Sequence, residues 1–213
     1  MSLKSARTTV RRLPRRAAYD HDGVHAILDA GFICHLGHVV AGQPFVIPTA
    51  YGRDGDVIYV HGSAVSRTLK NLAEGVPLCL TVTHLDGLVL ARSGFHSSMN
   101  YRSVVVLGSA VLVEGDEKVH ALRVISEQIL KGRWDEIRGP SRKELRATTV
   151  LRLPIDEASA KVRTGPPMDD EADYELPVWA GVLPLSVRAG PPEPDPRLPA
   201  ETPLPAYLRR RRR

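Results

Sequence analysis

The chain reads as a mainly β, α+β protein built on a small antiparallel barrel with a few peripheral helices. Three observations predict this. Apolar runs of strand length follow one another between residues 32 and 60, joined by tight turns at Ala41-Gly42-Gln43 and Arg53-Asp54-Gly55-Asp56. Helical periodicity is sparse and does not alternate with the strands, which excludes a doubly wound parallel sheet. Neither the GxGxxG fingerprint nor the GxxxxGK[ST] loop occurs, so a nucleotide would have to be held by another fold.

In chain order, residues 1–19 are basic without hydrophobic periodicity and read as a flexible lead-in. A helix is expected over 21–30, capped by Asp20 or Asp22, with Val24, Ile27 and Leu28 on one face and Gly31 as its stop. Strands follow over 32–40, 44–51 and 57–60. Residues 64–74 are expected to be helical, with Val65, Leu69 and Leu72 on one side and Gly75 at the end. Strands 78–85 and 88–92 are expected to form a hairpin around Asp86-Gly87, and a β-run over 103–113 ends at Glu114-Gly115-Asp116. Val119, Leu122, Ile125 and Ile129 then recur at helical spacing up to Gly132. Residues 146–153 are β-like, and 179–187 form the last expected strand. The domain thus spans 20–190, and residues 191–213, proline-rich and ending in five arginines, read as an extended, disordered tail.

At 213 residues, with 43% hydrophobic and 5% aromatic content, the chain can bury one substantial core. The net charge of +5 misleads. Residues 209–213 carry five positive charges and residues 1–20 a further net five, so residues 21–208 carry about −5. A basic nucleic-acid face on the body is not indicated, and any such binding would be weak and confined to the arginine tail. Cys34 and Cys79 sit in apolar runs without metal-ligand spacing and read as buried thiols of a reducing, cytoplasmic compartment. No segment has the apolar length of a signal core or a membrane span.

Most of the chemistry lies in Val57-Ile-Tyr-Val-His-Gly-Ser-Ala-Val-Ser-Arg-Thr68. There a strand empties into a turn carrying His61, Ser63, Ser66 and Arg67 at the mouth of a helix. Hydroxyls, a guanidinium and the free N–H groups of a first helical turn can hold a dianionic phosphate without a metal. The same serines also suit plain capping of the helix. His21 and His25, four residues apart, lack a third ligand nearby in sequence and read as a solvated face, while His35 and His38 project to opposite sides of a strand. Residues 93–103 contain no GxSxG elbow and read as a loop lining the pocket, with His96 as a candidate site residue. Asp169-Asp170-Glu171 reads as a helix start in solvent.

In order along the chain, Ala30-Gly31-Phe32-Ile33-Cys34-His35, Gly42-Gln43-Pro44-Phe45-Val46-Ile47-Pro48-Thr49, Tyr59-Val60-His61-Gly62-Ser63, Ser66-Arg67 and Asn100-Tyr101-Arg102-Ser103-Val104-Val105-Val106-Leu107-Gly108 resemble the pyridoxamine 5′-phosphate oxidase-like flavin-binding split barrels over residues 20–155. The likeness is greatest to their nitroimidazole-resistance-like branch. It implies a split β-barrel homodimer that binds FMN. Val46, Ile47, Pro48, Thr49 and Tyr51 would run along the flavin with backbone contacts, and Val60 and His61 would lie near its ring or ribityl chain. Ser66 and Arg67, with Ser63 and Lys70 in support, would grip its phosphate. Asn100, Arg102 and Ser103 would add polar contacts at the dimer interface, and Trp179 would either cover the ring from a partner subunit or serve plain core or dimer packing. Thr68 stands where the family carries a second phosphate-side lysine, and no Arg-x-His motif follows residue 150, so vitamin B6 oxidation is not implied. The expected function is flavin-dependent redox chemistry on a small molecule. The alternative is a non-enzymatic holder of flavin or haem, and a deazaflavin suits the same slot. The catalytic residue is not identified, and no metal site is expected.

Overall fold

The computed structural model describes residues 2–209. Its elements are β1 (Ala17–Ala18), α1 (His21–Asp29), β2 (Ile33–Val40), β3 (Gln43–Asp54), β4 (Val57–Ser63), α2 (Arg67–Ala73), β5 (Leu78–Leu90), β6 (Ser98–Gly108), β7 (Val111–Leu112), α3 (Gly115–Ile129), α4 (Arg142–Ala147), β8 (Thr148–Pro154), β9 (Glu157–Arg163), β10 (Gly181–Pro184) and α5 (Ala206–Arg209). All strand pairs are antiparallel, in the order β1-β9-β6-β5-β2-β3-β4-β8-β7, with β10 added to β5. This is the open, antiparallel sheet of a split barrel.

The split lies in β3. Its first part, Gln43 to Ala50, pairs with β2, and its last part, Tyr51 to Asp54, pairs with β4. Strand alternation puts Cys34, Leu36, Val82, Val104 and Val106 into one core with Tyr51, Ile58 and Val60, and α1 closes it with Val24, Ile27 and Leu28. Asp20 caps α1 by accepting from the Gly23 N–H at 2.7 Å, as the sequence predicts. A second cluster on the other side of β4 packs Tyr59 and Val150 under Ala121 and Ile125 of α3. Gly52 makes that seat possible, because a Cβ there would stand 2.7 Å from the Ile125 backbone.

Several expectations are corrected. Asp86-Gly87 does not turn a hairpin. β5 runs through it with a bulge between Leu85 and Gly87, and Leu88 and Val89 stay paired with β6. β10 presses on the bulge, so a Cβ on Gly87 would lie 3.1 Å from the Leu183 carbonyl oxygen. The run over 103–113 is two strands, β6 in one half of the barrel and β7 on β8 in the other. β9, with small Ala158 and Ala160 fully buried, carries too little apolar bulk to be read from sequence. Trp179 precedes the last strand rather than lying within it.

The lead-in is tied down rather than free: Leu3 is 3% exposed, its N–H donates to Tyr19 O and its carbonyl accepts from Ala158 N, each at 3.0 Å. The tail likewise returns to the body, where the Tyr207 hydroxyl donates to Glu136 Oε2 at 2.6 Å. Arg210 to Arg213, the end of the expected arginine cluster, lie outside the described residues. Cys34 is fully buried, which pushes its thiol up to about 12, whereas Cys79 is only half-buried. Among the described residues no helix is long and apolar enough to cross a membrane.

Candidate functional site

Between Gln43 and Ala50, β3 has a ladder partner on one side only, and its other edge faces the opening of the barrel. The β4–α2 turn stands across that opening. Ser66 caps α2 by accepting from Leu69 N at 3.4 Å, while Ser63 Oγ accepts from Val65 N at 3.4 Å and so closes the turn ahead of the helix. Arg67 follows. Its guanidinium lies 5.0 Å from the centre of the Phe45 ring, and Phe45 stacks at 5.6 Å on His38 of β2. No carboxylate among the described residues pairs with Arg67 or with Lys70, which shares its helix face three residues on. The turn therefore holds two unneutralised cations beside an open strand edge.

Val60 and His61 separate by strand alternation. Val60 enters the barrel core at 2% exposure, while His61 points to the opposite face beside Val150. One ring nitrogen of His61, Nδ1, is buried without a hydrogen-bond partner, and burial lowers the imidazole's pKa below its ordinary value. A neutral imidazole with an uncommitted nitrogen is suited to ligate a metal or accept a hydrogen bond. His38 Nδ1 is also buried and unpaired, but its ring is stacked on Phe45.

The other expected residues are placed as follows. Val46, at 64% exposure, and Pro48 face outward on β3, Ile47 is 39% exposed, and Thr49 is half-buried. Tyr51 turns its side chain into the core and donates to the Leu28 carbonyl, leaving only its backbone for a ligand. Asn100 is 8% exposed and holds Gly165 O and the Arg163 guanidinium. Arg102 is committed to both oxygens of Asp86 at 2.9 Å, and the Ser103 hydroxyl donates to Lys161 O at 3.3 Å. Trp179 is 69% exposed, with its ring folded over Gly181. Because β2 and β5 intervene, β6 lies about 14 Å from β3, so one chain does not bring the Asn100–Ser103 group to the Arg67 turn.

Two features escape the sequence reading. Asp56, on the turn after β3, comes within 2.7 Å of His21 Nδ1 and 3.0 Å of His25 Nε2, supplying the third donor that the helix alone lacks. The acidic run does open a helical turn, with exposed Asp170 before Glu171–Glu175, but Asp169 is not solvated, because its side chain is fully buried against Arg92 at 3.1 Å. Spacing gave no signal for either, since both contacts join distant segments.

A family model described as pyridoxamine 5′-phosphate oxidase matches residues 20–162. The chain belongs to this family. Within it, this oxidase-like chain is similar over nearly its whole length to two solved structures. The flavocytochrome Anf3 from Azotobacter vinelandii is 46% identical with a TM-score of 0.91, covering 98% of this chain and 97% of that one. An FAD- and haem-binding protein from Mycobacterium smegmatis is 37% identical with a TM-score of 0.89, covering 92% of this chain and 97% of that one. A candidate 5-nitroimidazole antibiotic resistance protein from Bacteroides thetaiotaomicron shares the fold at 24% identity and a TM-score of 0.58, covering 68% of this chain and 86% of that one. A search of the curated proteins returns no match.

Proposed function

We propose that this protein is a redox protein that holds a flavin together with a haem. The likeness that carries this reading is the end-to-end similarity to a flavocytochrome and to an FAD- and haem-binding protein. The flavin is proposed as FAD in preference to the FMN expected from sequence, following the named cofactor of the mycobacterial relative. A bound flavin supplies two-electron acceptance with one-electron release, and a haem iron supplies a one-electron partner.

The chain's own residues fit these groups. Along the open edge of β3, peptide groups can meet the polar edge of an isoalloxazine; alternation from the tight Ala41-Gly42 turn points residues 44, 46, 48 and 50 to that edge, and since Pro44 and Pro48 have no N–H, the donors there are Val46 and Ala50, with the proline carbonyls as acceptors. Arg67, with Lys70 beside it, offers charge to a phosphate while contact with the Phe45 ring holds its guanidinium at the barrel mouth. His61, neutral and with a buried free nitrogen, is the residue that would hold a haem iron. His38 is the lesser candidate because Phe45 covers its ring. The exposed Val39, Val46 and Leu85 on the outer sheet face, with β6 held apart from the Arg67 turn, support a homodimer in which a second copy completes the pocket.

The test is the visible spectrum of purified protein with cofactor analysis by chromatography. A Soret band together with flavin bands, both changed by anaerobic NADH or NADPH, is the expected result. Protein that takes up neither flavin nor haem on reconstitution overturns the reading. His61→Ala should abolish the Soret band and leave flavin content unchanged. Sedimentation should give a dimer, and a monomer that retains flavin would refute the shared pocket.

A further inference from the structure

At the far end of the sheet from Arg67, a cleft of about 880 Å³ opens between the lead-in, the start of β6 and the end of β9. It is lined by Arg12, Arg15, Arg16, Lys161 and Arg163, with His96 at its side. No aspartate or glutamate lines it. Among the described residues none of these four arginines nor Lys161 pairs with an acid, while His96 lies 3.3 Å from Asp170. Arg163 is the core of the arrangement. It is 7% exposed, yet its guanidinium donates only to neutral acceptors: Asn100 Oδ1 and the carbonyls of Gly165 and Pro166, the last two at 3.3 Å. Burial and the nearby Arg16 weaken its hold on its proton, the signature of a desolvated cation among like charges. Leu13, at φ 56° and ψ 58°, holds the left-handed turn that starts the Pro14–Arg16 helical turn and lines the same cleft.

A buried guanidinium without a carboxylate is costly, and four further cations beside it make the cost larger unless an anion is bound. The charge exceeds what one phosphate monoester neutralises. The walls also carry Tyr101, Phe95, Leu13 and Met168, a set of surfaces on which a planar base can rest. Arg67 belongs to the rung through Phe45, His38, Leu78 and Gly108, and Arg163 to the rung through Tyr101. Seven residues of β6 separate these rungs, or about 23 Å, so within one chain the cleft and the Arg67 turn are different places.

We propose that this cleft binds the pyrophosphate of a nucleoside diphosphate, free or as one half of a dinucleotide, with Arg163 as its buried anchor and Arg12, Arg15, Arg16 and Lys161 as its outer clamp. The proposal stands without the flavin reading, because its first probe is ADP.

Calorimetric titration of the full-length protein with ADP at low salt should show binding, with adenosine binding at least tenfold more weakly. Arg12→Ala combined with Arg16→Ala, two changes outside the barrel core, should weaken ADP by roughly 10- to 100-fold, since charge-assisted hydrogen bonds are lost. Arg67→Ala should leave ADP affinity unchanged. Separate arms identify the source of the nucleotide. If apo-protein prefers FAD over FMN and the double variant loses that preference, the cleft of one subunit and the Arg67 turn of a second copy share one dinucleotide; if flavin-loaded protein still binds ADP, the cleft takes a separate nucleotide. Absence of ADP binding, or equal affinity in wild type and the double variant, overturns the proposal even where flavin is retained.

Discussion

Two arginines at the ends of neighbouring turns meet opposite fates. Arg53, before the β3–β4 turn, donates to both oxygens of Asp29 at 2.6 Å and to Gly55 O at 2.7 Å. Around it, Gln128 donates to the carbonyls of Leu28, Asp29 and Gly31, and Tyr51 to Leu28, so the corner between α1, β3 and α3 is closed by its own bonds. Arg67, after the β4–α2 turn, meets only the face of Phe45. A polar group whose bonds are completed within the chain builds the fold, and one left open beside a free strand edge is available to a ligand. Residue type does not separate the two. Their surroundings do.

The largest effect should come from the closed corner. Gly52→Ala drives a Cβ into the α3 backbone, where no side chain can move aside, and should cost about 3 kcal/mol by urea unfolding. A loss below about 0.5 kcal/mol would show that α3 is not seated on β3 as described.

Arg53→Ala comes next. It removes a bidentate pair whose Arg53 side is largely buried while Asp29 is about half-exposed, for a loss of about 1 kcal/mol, with flavin affinity unchanged. Equal melting temperatures for variant and wild type would erase the distinction between the two turns.

Arg67→Ala should behave in the reverse way. Stability should shift by less than about 0.5 kcal/mol, while flavin affinity, titrated into apo-protein, falls by roughly 10- to 100-fold. Lys70→Ala, a point charge without a planar fork, should weaken flavin only about threefold in the same titration.

The smallest effect concerns pH. Arg102 beside Asp86 holds that carboxyl below its usual range, so the pair stabilises the fold above the ordinary carboxylate pKa and loses that contribution as pH falls through the lowered value. Both side chains are about one-third exposed, so the contribution is at most about 1 kcal/mol. Asp86→Asn should therefore flatten the fall in melting temperature between pH 5 and pH 3 (roughly the carboxylate range), and an unchanged slope would deny the pair any role.

What the sequence determined by itself is what local chemistry controls. The Asp20 cap and the Val24, Ile27, Leu28 face placed α1, alternation and Gly-containing turns placed β2 to β4, and the hydroxyls and guanidinium after Val60 marked the candidate turn. Only the tertiary structure decided the rest, because each remaining choice turns on a partner far along the chain. β10 makes Asp86-Gly87 a bulge instead of a hairpin. β6 and β1 make a strand of the alanines in β9, and Asp56 joins two histidines some thirty residues earlier in the chain. Tyr51 and Arg67 were both legible as site residues by type, but whether a tyrosine hydroxyl finds a carbonyl or an arginine goes without a carboxylate depends on packing across the barrel. Strand alternation is a property of the backbone, whereas the completion of a hydrogen bond is a property of the neighbours that folding brings to it.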